Sequence, residues 1–432
     1  QEKGYPEFEL RLDSTNSDAS KKLIQGVSGV GADIISMARD EAWLFHATGM
    51  LEDLRPWAEK HGFTLDKTWA ASAPSFMIDG EQAGFPRGIS TQTLFLNIEL
   101  FEKYGIPLPS LRWTLDEFEK TAKAFVEAAN RGKDPRDRIF FCDIMNVATL
   151  RRGMGRSAMN ETMTRATLDN PESIKVIKLI NKWTNEDRIM PTQADLDFFA
   201  GSDTGTSRTQ LFLRHRYALL TGARYTLVQL REHPEMKMEI RMTPYESFPN
   251  VLMGTGSVGI YKNSKHKELA AYLLEFFASD KYNMNVVRSA DAIPPIPAYS
   301  TMEEYLHPPE FPGEWQIHSE TADLMKFAII PEASLFILPT AFNRIESEYR
   351  LAALAGIYTP EEGMARAEAS VNREIDQHVA ADPQMKTKYE KLLKDQETIE
   401  RLRAAGELVP AHLITNPFYQ VYYRERGWST DS

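Results

Sequence analysis

Short apolar runs alternate with amphipathic stretches at βαβ spacing along the first third of this chain, and that alternation constrains the fold most. A strand that is apolar along its whole length needs cover on both faces. Ala32-Asp33-Ile34-Ile35-Ser36-Met37 reads as such a buried parallel strand. A helix candidate over Ser20–Val27 precedes it, and another runs from about Glu41 to Thr48, with Gly49 as its stop. Phe8-Glu9-Leu10-Arg11-Leu12 alternates apolar and polar residues and predicts a further strand. This is the grammar of an α/β fold.

Downstream, Trp113-Thr114-Leu115-Asp116-Glu117-Phe118 opens an amphipathic helix with a capping box formed by Thr114 and Glu117. Helical patterns follow over Glu172–Trp183 and Lys265–Ser279, the second after a strand-like Ser257–Tyr261. Phe327–Phe342 reads as buried strands with turns. A long helix starts beyond Thr359, with Pro360 at its first position. Lys386–Arg403 is charge-rich with one stripe of Tyr389, Leu392, Leu393, Ile399 and Leu402, and aromatics crowd Asn416–Trp428. This tail is expected to be an appendage packed on the main body.

With 432 residues, 42% of them hydrophobic, the chain can build two or three cored units. No run approaches the ~20 apolar residues that span a bilayer. The first residues lack a basic and an apolar segment, so a signal peptide is expected to be absent or already removed. A net charge of -11 disfavours a partner held by phosphate neutralisation, so no nucleic acid is expected. The single cysteine, Cys142, excludes an internal disulfide framework and reads as a small buried hydrophobe beside Phe140 and Phe141.

Gly254-Thr255-Gly256-Ser257-Val258-Gly259 spells GxGxxG, but its glycines precede a strand instead of joining a strand to a helix. The better reading is a backbone crossing where side chains would clash. HExxH, GxxxxGK[ST] and GxSxG are absent, and nine scattered His show no ligand spacing, so neither metal nor cofactor is expected. Glu361-Glu362 reads as a pair of helix-dipole partners. Asp40-Glu41, just past the carboxyl edge of a buried strand, is open between ligand contact and helix capping. The Asn160-Glu161-Thr162 sequon reads as accidental.

Several stretches together resemble the extracellular solute-binding proteins of carbohydrate ABC importers, the group that includes the maltose-binding proteins. They are Gly29–Ile35, Gly49–Leu54, Gly80–Pro86, Leu94–Phe101, Tyr104–Pro107, Trp113–Phe118, Phe212–Gly222 and Gly256–Phe277, in the family's order over residues 5 to about 380. His215 stands where that family usually has Gly. The family also begins with a strand and helix ahead of the Phe8–Leu12 position, so a first strand and its loop are expected to be missing here. Residues 382–432 lie outside its pattern.

The resemblance implies a two-lobed (type II) periplasmic-binding-protein fold: residues 1–88 plus 257–325 as lobe one, 89–256 plus 326–380 as lobe two, and 381–432 as the helical and aromatic appendage. Crossing segments are expected at Gly84–Ser90, Gly254–Gly259 and Ile329–Leu335. It further implies ligand contacts from Asp40 and Glu41 after the first buried strand, from Arg87 and Ser90 at the first crossing, and from Asn146, Arg224, Tyr225 and Asn343 in lobe two. Asn343 falls where some members carry Trp. Trp315 is a candidate for either the cleft or plain packing.

Arg39, Arg87, Arg151, Arg152, Arg156 and Arg224 fall near the expected cleft edges. Converging guanidiniums would suit an acidic or sulfated saccharide; the plainer alternative is solvated surface arginines. The implied function is non-catalytic: a monomer outside the bacterial membrane that closes on a sugar and presents it to an ABC permease. The alternative is a polysaccharide-degrading enzyme using paired carboxylates.

Overall fold

A computed structural model describes residues 9–13, 18–38, 41–201 and 207–430. The strands that carry the fold are β1 (Ile34–Ala38), β2 (Phe85–Thr91), β3 (Thr93–Asn97), β4 (Phe140–Cys142), β5 (Tyr217–Gly222), β6 (Met238–Arg241), β7 (Val251–Ile260) and β8 (Ala328–Ile329). The chain divides into two compact units: Gln1–Ser90 with Met253–Pro308, and Thr91–Leu252 with Pro309–Ser432. Among the described residues no helix is long and apolar enough to cross a membrane.

In the first unit β1 pairs antiparallel with β7, from Ile34 opposite Ile260 to Ala38 opposite Gly256, and β2 also pairs with β7. Its core joins Leu54, Phe63, Phe76 and Phe85 to Val258, Ile260 and Leu274. The helix Ala19–Val27 is capped by Asp18, which accepts from Lys21 N. The helix Glu41–Ala47 ends at Gly49 in the left-handed region, as its stop signal requires. Residues 9–13 form no strand, contrary to the alternation that predicted one, and Phe8 lies outside the described residues. Among the described residues no neighbouring strand pairs with this segment, and period-two patterning cannot hold a lone strand.

Gly254 and Gly256 lie within β7 together with Gly259, so the strand begins at Val251, ahead of the Ser257 start that the sequence suggested. A side chain at Gly254 would stand 2.6 Å from Ser90 Oγ, and one at Gly259 would stand 2.9 Å from the Ala83 carbonyl oxygen. Close packing of the Ser90 side chain explains the first and close approach of the Ala83 backbone the second.

The second unit holds the sheet β4-β5-β3-β6, with β3 and β5 buried along their whole lengths. The capping box of Thr114 and Glu117 starts the Leu115–Asn130 helix, which sets Phe118 and Phe125 against Phe141, Trp113 and Trp183. Val251 and Leu252 of β7 pair parallel with Ala328 and Ile329 of β8. Beyond β8, Phe327–Phe342 is not strand as predicted: a helix begins at Pro339. Proline fixes φ for a helical first turn, which the apolar reading overlooked.

The Trp315–Leu324 helix belongs to this unit, where Glu320 accepts from Ile240 N of β6. The tail is grouped with the second unit and packs on it. Helices Pro383–Ala405 and Pro417–Arg426 bring Ile399, Phe418, Tyr419 and Tyr423 onto Phe248 and Ile329 in one buried cluster.

Candidate functional site

In the first unit, Asp40 lies outside the described residues, as does Arg39. Glu41 opens its helix with one carboxylate oxygen accepting from Lys22 Nζ and from Ala38 N, both at 2.9 Å. These bonds tie the helix to β1 and to the Ala19–Val27 helix. Arg87 on β2 is exposed, and among the described residues no carboxylate pairs with it. Its carbonyl accepts from Tyr282 Oη at 2.6 Å, so the backbone is fixed while the guanidinium reaches solvent. Ser90 is half-buried beside Gly254.

In the second unit, Asn146 caps the Val147–Gly153 helix by accepting from Thr149 N at 3.0 Å. Asn343 is exposed on the Pro339–Leu354 helix. Arg224 is buried, while the next residue, Tyr225, leaves 53% of its surface in solvent. A ring held by a buried neighbour and open on its own face is what a stacking contact needs.

A chain of buried polar groups holds that loop. Arg224 Nε donates to His318 Nδ1 at 3.5 Å, and His318 Nε2 donates to Glu314 Oε2 at 3.1 Å. This pair of bonds defines the neutral tautomer of His318. Arg231 donates to both oxygens of Glu314 at 2.7 and 2.8 Å and lies 3.6 Å over the Phe311 ring. Burial holds the His318 imidazole below its ordinary pKa, and the facing Arg224 adds to the shift. Burial alone would raise Glu314, but hydrogen bonds from His318 and Arg231 outweigh it and leave the carboxyl below its ordinary value. Sequence reasoning missed Arg231, Glu314 and His318; the i,i+4 spacing of Glu314 and His318 was the one local signal.

The arginines named near the expected cleft edges differ in environment: Arg87 is exposed and Arg156 keeps 42% of its side chain in solvent, whereas Arg151 and Arg152 are buried. Arg151 meets Glu346 at 3.3 Å with 3% of its side chain exposed, and Arg152 is buried against Glu332. Arg156 pairs with Glu172 at 3.2 Å. Cys142 is fully buried, and burial raises its thiol well above the ordinary range. The Asn160 side chain is buried in bonds to Thr164. Among the described residues no group of three or more His, Cys, Asp or Glu could hold a metal ion.

Residues 2–313 match the profile of the bacterial extracellular solute-binding protein family. A chain named as a binding protein of Brucella abortus (strain 2308) is 24% identical over 271 residues, 60% of this chain. The match spans 58% of the length of that relative. Among solved structures, an ABC substrate-binding protein of Listeria monocytogenes, in complex with cycloalternan, superposes with a TM-score of 0.72 at 19% identity. That superposition covers 83% of this chain and 88% of the other. A solute-binding protein of Thermotoga lettingae, bound with α-D-tagatose, gives 0.68 at 18% identity over 82% and 88%. Maltose-bound MalE3 of T. maritima gives 0.66 at 17% over 83% and 89%. The two-lobed solute-binding fold is therefore the fold of this chain.

Proposed function

Because this chain belongs to the bacterial extracellular solute-binding protein family, we propose that it binds a saccharide unchanged and hands it to the permease of an ABC importer. Membership makes it a binding protein and not an enzyme. The observation that carries the sugar is the fold shared with chains solved holding cycloalternan, tagatose and maltose. Tyr225 supports it, since an exposed ring can lie against the C–H face of a pyranose while its edge stays wet.

The ligand is a neutral saccharide rather than an acidic or sulfated one. The guanidiniums of Arg151 and Arg152 are paired with the internal carboxylates of Glu346 and Glu332, which supports a neutral ligand. The protein acts as a monomer outside the membrane.

Thermal-shift screening against maltose, cyclic and linear glucans, tagatose and uronates tests this, since a ligand of the native state raises Tm by mass action. A neutral sugar should shift the transition and titrate calorimetrically, with no new reducing ends after prolonged incubation. Tyr225→Ala should then weaken binding roughly tenfold, on the order of 1 kcal/mol for a lost stacking face, without moving the ligand-free Tm. Arg87→Ala should leave the neutral ligand within about twofold. Uronates that bind tightly and lose that binding in Arg87→Ala would reverse the choice of ligand charge.

A further inference from the structure

Arg224 and Arg231 stand at the two ends of the short helix Thr226–Leu230, and they donate to the two members of one i,i+4 pair, His318 and Glu314. Leu227 and Leu230 of that helix are buried, while Tyr225 and Val228, three positions apart, keep 53% and 46% of their surfaces in solvent. A buried polar clamp thus carries an open ring.

The carboxylate is shared by three donors. Glu314 Oε1 accepts from Arg231 Nε, and Oε2 accepts from Arg231 Nη2 and from His318 Nε2. The imidazole extends that carboxylate's pull to Arg224: with its proton on Nε2, the ring turns the Nδ1 lone pair to Arg224 Nε at 3.5 Å. A doubly protonated ring would set a donor against a donor there. Burial, with the charge of Arg224 behind it, outweighs the bond to Glu314 and favours the neutral ring, the form that has a lone pair to offer.

We propose that His318 is a positioning residue for the Tyr225 ring: its Nδ1 lone pair seats Arg224, and Arg224 sets the direction of the ring that follows it in the chain. This rests on the reading of Tyr225 as a surface for a sugar. A side chain with 0% exposure has no surface for a ligand to touch, so an effect of His318 on affinity passes through the loop. Arg231, bound to both oxygens of Glu314 and packed over Phe311, holds the far end of the helix. Losing the His318 acceptor therefore loosens the Arg224 end, and a stacking contact responds to that because it depends on the tilt of the ring face.

Two substitutions divide the imidazole. His318→Asn places an oxygen near the Nδ1 position and keeps an acceptor for Arg224; His318→Gln places an amide nitrogen near the Nε2 position and keeps the donor to Glu314. Each loses one buried hydrogen bond, so both should lower Tm by similar amounts. Affinity should separate them, titrated calorimetrically with the sugar that gives the largest thermal shift among maltose, cyclic and linear glucans and tagatose. It should stay within about twofold of the unaltered protein in His318→Asn and fall roughly fivefold in His318→Gln. Tyr225→Ala should then cost less than about threefold in the His318→Gln background, against roughly tenfold on its own. Equal losses in the two variants, or losses that follow Tm, overturn the proposal.

Two measurements need no ligand. Nitrogen NMR of the imidazole should show the proton on Nε2 and a hydrogen-bonded lone pair on Nδ1. Hydrogen exchange of the Thr226, Leu227 and Val228 amides, which donate to the carbonyls of Ala223, Arg224 and Tyr225, should quicken by about fivefold or more in His318→Gln and stay near the original rate in His318→Asn. A proton on Nδ1 overturns the proposal, as does exchange that quickens alike in both variants or in neither. A panel in which no sugar binds removes the saccharide reading, and these two measurements still decide the role of His318.

Discussion

Arg152→Met should destabilise the protein by about 3–5 kcal/mol, the usual cost of leaving one partner of a buried ion pair alone. The transition temperature of the second unit should fall by on the order of 10 °C. Only 1% of the Arg152 side chain reaches solvent. Its Nε donates to Glu332 at 3.0 Å, and its other nitrogens donate to the carbonyls of Ile329 and Ile330 at 3.3 and 2.7 Å. Met fills the space but strands a buried carboxylate with Ser157 Oγ as its remaining partner and orphans two carbonyls. The double variant Arg152→Met/Glu332→Leu should recover a large part of the loss, because the desolvated charge goes with its partner.

The same pair makes an acid signature. Burial would raise the Glu332 carboxyl, but the charge and hydrogen bonds of Arg152 overcome it and hold the group below its ordinary 4.5. A depressed carboxyl stabilises the fold above its unfolded pKa, and that contribution is lost as pH falls through 4.5 toward the folded value. Glu314 acts in the same direction. Tm should therefore drop between about pH 5 and 3 by thermal scans at fixed ionic strength. The double variant should show a shallower drop; an equal slope would mean that Glu332 does not carry the acid sensitivity.

What could be read in advance was local. The partners of the Thr114 and Glu117 box stand three positions apart, so the sequence carries both together, as it does for Thr359 and Glu362. The tight packing at Gly254 was legible because glycine in a strand has few other uses. Arg151 and Arg152 resisted reading because their carboxylates come from Glu346 and Glu332, 195 and 180 residues away. Nothing near an arginine in sequence tells whether such a partner will arrive, and solvent is the default. Arg224 was hidden in the same way, its neighbour His318 standing 94 residues on. The segment 9–13 failed in the opposite sense: its pattern was right for a strand, but pairing is decided by a neighbour and not by the pattern.

The tail is where this non-local logic predicts the largest effect. Removing residues 383–432 should leave a chain that is recovered mostly as aggregate, not a trimmed and active core. The cut would uncover Phe248 and Ile329, which are buried by Phe418, Tyr419 and Tyr423. It would also strip Glu161, whose carboxylate accepts from Arg403 Nη1 and Tyr423 Oη at 2.7 Å and from Gln396 Nε2 at 2.9 Å. Its carbonyl oxygen accepts from Thr415 N and Asn416 N as well. One residue thus gathers both tail helices and the link between them, with 6% of its side chain exposed. Glu161→Ala separates the two causes, since it deletes the polar anchor and keeps the apolar cover. A loss of about 3 kcal/mol or more, read by denaturant midpoint, is expected from leaving Gln396 and Tyr423 unpaired and the Arg403 charge without its carboxylate. Hydrogen exchange should quicken through 383–430 before the rest of the unit opens. A truncated chain that stays monomeric at full Tm would mean that the tail is carried by the unit without supporting it.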